Sequence, residues 1–161
     1  MPIETTRFGA LELSEESIFT FPEGLPGIEG KRFALIERGP RLAWLQSLSE
    51  PAVALLLVDP RPLRPDFAFS PRPEEAAIVD PGSATGGLIE RVIAWSDRQD
   101  AGRLLLNLFA PILLNPVRRL GMQLPLVGSS FTTREVWPSP PSEAVATSAT
   151  LEQSSSGGHG P

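Results

Sequence analysis

"LAWLQSLSEPAVALLLVD", residues 42–59, sets two apolar runs on either side of Ser49-Glu50-Pro51, and its reading decides the fold. Ser, Glu and Pro in the gap are turn residues, so the runs read as the arms of a hairpin. Val53 to Val58 is continuously apolar, whereas a strand with one wet face shows a polar residue at every second position. This second arm is therefore predicted to be a central strand covered on both faces. In the first arm Trp44 and Gln46 share a face, which predicts core packing, with an interface anchor as the alternative.

Short strands continue in both directions. Upstream lie "RFALIE" (32–37), "SIFTF" (17–21) and a hairpin formed by Ile3, Thr5 and Arg7 with "ALEL" (10–13) across a turn at Gly9. Downstream, "DPRPLRPDFAFSPRP" (59–73) holds five prolines. Each removes a backbone donor, so only an edge strand or an irregular surface crossing fits there, and "DFAF" is expected to be an edge strand. "PEEAAIVD" (73–80) reads as one or two helical turns, with Pro73 at the first position and two carboxylates near the N-terminus. A flexible loop is expected over 81–87, then a hairpin of "LIERVIAW" (88–95) and "RLLLNLFAPILLN" (103–115), and final strands in "GMQLPLV" and "SFTTREVW". Within that hairpin Asn107 interrupts an apolar run just before Pro111, which predicts a bulge or bend with the amide satisfied by backbone groups.

Nine to eleven short strands joined by turns predict a mostly β domain over 1–137, a small antiparallel barrel or sandwich around a single core. Residues 138–161, rich in Pro, Ser and Gly, lack the branched and aromatic residues that offset ordering entropy; a disordered tail is expected. The longest apolar run, Ala52 to Val58, is too short for a membrane span, and the first sixteen residues carry no basic region followed by an apolar block. A cytoplasmic protein is expected.

"FTFPEGLPGIEG" (19–30) resembles a phosphate loop only superficially. Its glycines are spaced G-x-x-G-x-x-G, Pro26 removes a donor, and no helix follows. Phe21 to Gly24 suits a type I turn and Leu25 to Ile28 a type II turn, so a stiff projecting corner is predicted.

Composition removes most chemistry. The absence of cysteine excludes disulfides, thiolate metal sites and thiol nucleophiles. The sole histidine, His159, lies in the tail, tyrosine is absent, Lys31 is the only lysine, and no nucleophile motif occurs. Glu15–Glu16 and Glu74–Glu75 are adjacent pairs, which cannot converge from one strand face. No enzymatic activity, cofactor or metal is expected. The alternative is a small ligand-binding or hydrolytic barrel using converging carboxylates. Residues 1–30 carry six carboxylates against Arg7 alone. That charge disfavours nucleic acid, which needs clustered Lys and Arg, and suits either a basic protein partner or carboxylates kept in water for solubility.

Several blocks in order resemble the flagellar assembly factor FliW family: "IFTFPEGLPGIEGKRFAL" (18–35), "AWLQSLSEPAVALLLVDP" (43–60), "RPDFAF" (64–69) and "NLFAPILLN" (107–115). The closing block, in the family commonly an aromatic-Ser-x-Arg-His-Pro-like run, here reads Phe131-Thr132-Thr133-Arg134-Glu135. The loop at 81–87 also replaces a more helical, acidic connection. The resemblance implies a small non-enzymatic β-barrel-like protein that binds flagellin in the cytoplasm. It also implies binding of CsrA, an RNA-binding translational regulator whose repression of flagellin mRNA is relieved by partner switching. Partner contacts are expected at Phe21, Glu23 and Leu25 of the corner, at Asp66 and Phe67 of the proline-rich edge, and at Asn107.

Overall fold

The computed structural model describes residues 1–62, 64–83, 87–100 and 102–137. The expected tail, residues 138–161, lies outside them. The hairpin of 42–59 forms as read: β5 (Leu42–Ser47) and β6 (Ala54–Val58) pair antiparallel, with Trp44 opposite Leu56. The preceding strands are β1 (Pro2–Thr5), β2 (Gly9–Glu12), β3 (Ile18–Thr20) and β4 (Arg32–Glu37). After β6 come α1 (Pro73–Val79), β7 (Ile89–Ser96), β8 (Leu104–Asn115), β9 (Leu120–Gln123) and β10 (Glu135–Trp137).

Strands β8, β7, β6, β5, β4, β3 and β9 follow one another around a ring, which the β8–β9 pairing closes. The architecture is thus a barrel, and β10 adds to β8 outside the ring. One closing contact, β3 with β9, is parallel, and was not anticipated. Seven strands impose it: an odd number cannot alternate direction all the way round a closed ring. β1 and β2 form a separate two-stranded sheet, tied on by the Thr6 amide donating to the Pro51 carbonyl.

Alternation along the strands gives the wall two apolar faces. Leu45, Leu57, Phe33 and Ile112 meet in the barrel interior with Phe19 and Phe21. Trp44, Leu56, Val58 and Ala94 belong to a second cluster on the outer face, with Phe67 and Trp137. A third joins Val79 of α1 to Leu113 and Met122 of the β8–β9 hairpin. The single expected core is therefore three clusters, because a barrel this small still has an outer face to cover. β6 is covered on both sides, as its unbroken apolar run predicts.

Two expected strands are not strands. "DFAF" is an irregular strap whose Phe67 amide donates to the Arg64 carbonyl. "SFTT" is likewise irregular, and only Glu135–Trp137 pairs. In "DFAF" side-chain burial supplied the alternation, not a ladder. Of the expected 81–87 loop, Pro81–Ser83 forms a tight turn in which the Ser83 amide donates to the Asp80 carbonyl, and residues 84–86 lie outside the described set. Among the described residues, no helix is long and apolar enough to cross a membrane.

Candidate functional site

The corner after β3 is two consecutive turns, closed by Gly24 N–H to Phe21 C=O (2.8 Å) and Ile28 N–H to Leu25 C=O (3.1 Å). Gly27 at φ 75° occupies the position where a type II turn demands positive φ. Gly30, at φ 81°, lies against Ser49, so a side chain there would collide with the β5–β6 turn. The Glu29 amide donates to a Glu50 carboxylate oxygen at 2.7 Å, fastening the corner to that turn.

The corner folds back over the barrel end instead of projecting whole. Phe21 is fully buried, its ring 5.2 Å from Phe33 and edge-on, with Gly121 of β9 beneath it. Leu25 is buried in the same cluster. Pro22, Glu23, Pro26, Gly27, Glu29 and Gly30 face water. Of the three corner residues expected to touch a partner, Glu23 is at the surface, while Phe21 and Leu25 hold the tip from below. Their apolar character, read as a possible anchor, is used to plug the barrel.

The strap and β10 are joined by a polar chain. Arg64 grips Asp66 with two bonds of 3.1 Å and reaches Glu135 at 2.9 Å. Glu135 also accepts from the Thr132 hydroxyl at 2.7 Å and from its amide at 3.1 Å. The Thr132 carbonyl in turn accepts the amides of Leu108 and Phe109 at the β8 bend. Arg64 holds the Asp66 carboxyl below its ordinary value, and the Thr132 hydroxyl, then Arg64, do the same for Glu135. Phe67 is buried beneath this chain, 5.1 Å from the Phe131 ring, while Asp66 is exposed.

Asn107 behaves as the sequence predicts. Its Oδ1 accepts the Ala110 amide at 3.0 Å where the β7–β8 register jumps between Arg91 and Ile93. Across that jump, Ile93 faces Asn107 and Arg91 faces Ile112, so β8 bends sharply without leaving the sheet. Asp66, Phe67 and the Asn107 bend are thus linked through residues 131–135; the corner belongs to the barrel interior.

The sequence reading passed over Asn115, fully buried at the end of β8. Its Nδ2 donates to the Val79 carbonyl and its Oδ1 accepts the Val117 and Arg118 amides, tying α1 to the β8–β9 turn. An Asn closing an apolar run just ahead of Pro116 was the available signal. Gly121 was also missed; only the Phe21 ring against it explains it.

Among the described residues, no three His, Cys, Asp or Glu side chains come together in metal-binding geometry. Among the described residues, carboxylates meet arginines, as Asp97 meets Arg103 at 2.8 Å, backbone amides, as Glu50 meets that of Glu29, or the N-terminal amine, as Glu12 does. The fold and site define a small closed β-barrel that carries a stiff acidic corner and a proline-rich strap. The family model described as FliW protein matches residues 2–136, and the chain belongs to the FliW family of flagellar assembly factors. It is 41% identical over 140 residues to the flagellar assembly factor FliW of Moorella thermoacetica, covering 83% of this chain and 86% of that protein. To the FliW of Geotalea uraniireducens it is 31% identical over 137 residues, covering 83% and 82%. A crystal structure of the flagellar assembly factor FliW superposes with a TM-score of 0.74 at 27% identity, over 84% of this chain and 95% of that one.

Proposed function

We propose that this flagellar assembly factor acts in the cytoplasm as a chaperone-like binder of flagellin that also captures CsrA. Flagellin exported from the cell frees it to hold CsrA and relieve repression of flagellin mRNA; accumulated flagellin occupies it and restores repression. No catalysis, cofactor or direct nucleic-acid contact is part of this reading, and residues 1–137 act as the functional unit.

The observation that carries it is the family match over nearly the whole barrel, combined with the charge of its exposed corner. Glu23 and Glu29 stand in water on a stiff turn in a segment of net −5. A fixed cluster of carboxylates steers a basic RNA-binding protein towards it and repels RNA. Glu23 and Asp66 are the surface contacts in this reading. Phe21, Leu25 and Phe67 set their positions, and Asn107 holds the bend behind the strap.

The test is a pull-down and calorimetric titration with flagellin and with CsrA at micromolar concentration. Glu23→Lys is expected to leave the melting temperature unchanged and weaken CsrA at least tenfold. Failure of the wild-type chain to bind flagellin would refute the chaperone reading, and full CsrA binding by Glu23→Lys would remove the corner from the interface.

A further inference from the structure

The β6–β7 ladder is a short seam of the barrel wall. It holds only three pairs: Leu56 with Ala94, Leu57 with Ile93 and Val58 with Val92. Both strands run on past its end. Ala54 and Leu55 stay paired to β5, and Trp95 and Ser96 to β8, so each keeps a partner on its far side only. Between them lies a groove of about 340 Å³, lined from one side by Ala54, Leu55 and Leu56 and from the other by Ala94, Trp95 and Ser96. Two strand edges facing a groove offer main-chain donors and acceptors to an extended segment.

The lining narrows the chemistry of that segment. Ala54 and Ala94 are small, Trp44 forms one wall with the Arg7 guanidinium 4.4 Å over its ring, and Trp95 is half-buried, so apolar side chains of modest size suit the floor beside Arg7. Trp95 and Ser96 also line an adjoining groove with Arg98 and Arg134. Asp97 there is engaged: Arg103 binds it at 2.8 Å and the Gln99 amide donates to it at 3.0 Å. Arg98 and Arg134 are exposed, and neither has a carboxylate within ion-pair distance among the described residues. On a chain of net charge −5, this end of the groove carries two exposed guanidiniums, of which Arg134 also helps hold the Asp97 carboxyl below its ordinary value.

We infer that the β6–β7 seam is a second docking surface, which takes an extended apolar segment of another protein followed by an Asp or Glu side chain. The segment pairs along the Trp95–Ser96 edge, places its apolar side chains over Ala54, Ala94 and Trp95, and sets its carboxylate between Arg98 and Arg134. This surface is distinct from the acidic corner, and the inference does not depend on flagellin or CsrA being partners.

The experiment uses the full chain and a synthetic probe, acetyl-Thr-Val-Thr-Val-Thr-Val-Asp-Asp-amide, whose blocked ends leave only side-chain carboxylates. Binding is followed by tryptophan fluorescence, since Trp44 and Trp137 are buried and Trp95 is half-exposed. Amide hydrogen exchange then locates the probe. The expected result is saturable binding with new protection at 54–56 and 94–96. Replacing both Asp by Lys, or N-methylating alternate residues to remove donors, is expected to weaken binding at least tenfold. The double variant Arg98→Glu, Arg134→Glu, whose side chains are exposed, is expected to keep its fold and lose the same tenfold. Absence of saturable binding, protection confined to other strands, or equal affinity for the Asp and Lys probes would overturn the inference.

Discussion

Replacing Phe21 by Ala removes the plug of the barrel. The ring is fully buried, packs edge-on against Phe33 at 5.2 Å and covers Gly121, whose missing side chain makes its space. Truncating a buried Phe leaves a cavity and costs about 3–5 kcal/mol. Loss of the aromatic pair, about 0.5–1.5 kcal/mol, is contained in that figure. Gly121 contributes no atoms to refill the hole, which places the expected loss in the upper half of the range. For a domain of this size the melting temperature should fall by roughly 10–15 °C. Urea unfolding of the wild type, Phe21→Ala and Phe21→Leu measures it, with Leu expected to cost about half as much as Ala because it refills part of the space. A loss below about 1 kcal/mol for Phe21→Ala, at unchanged denaturant slope, would refute the interior placement and return Phe21 to the surface as a contact residue.

Gly121→Ala tests the same packing from the other side. The added carbon would stand 2.5, 2.6 and 3.0 Å from three Phe21 ring atoms, so about 1–3 kcal/mol is lost, and combining it with Phe21→Leu should be less than additive. Asn107→Ala leaves the Ala110 amide without its acceptor and should cost about 1–3 kcal/mol in the same assay. Asp97 and Glu135 titrate below their ordinary values of 3.8 and 4.5, Asp97 through the Gln99 amide first and then Arg103, Glu135 through Thr132 first and then Arg64. A lowered folded-state value gives stability that is present above the unfolded range and lost as pH falls through the folded one. Stability should therefore drop from about pH 5 downward, and Asp97→Asn with Glu135→Gln should flatten that drop.

Local pattern was enough wherever the chain's periodicity had one cause. The hairpin of 42–59 followed from a turn triplet between two apolar runs, and the corner's two turns followed from the positions of Pro22, Gly24, Pro26 and Gly27. Asn107 was readable as a bend because an amide in an apolar run needs a nearby backbone partner. "DFAF" misled because alternation in it records which side chains are buried, and a strap pressed on a barrel buries every second residue as a strand does. Gly121 and Asn115 were silent because their reasons, the Phe21 ring and the α1 carbonyl, come from segments far away in the chain.

The sequence by itself determined a mostly β chain of short strands, a stiff acidic corner, the absence of thiol and imidazole chemistry from residues 1–137, and kinship through ordered blocks with flagellar assembly factors. These rest on composition and on contacts between near neighbours, which any segment carries with it. The tertiary structure alone decided that the sheet closes as a seven-strand barrel with one parallel seam, that Phe21 and Leu25 lie inside it and that Phe67 packs on its outer face. It also decided that β6 and β7 part to leave a groove beside Arg98 and Arg134. Closure, register and burial depend on pairings between distant residues, and no local pattern specifies which strand a given edge will meet.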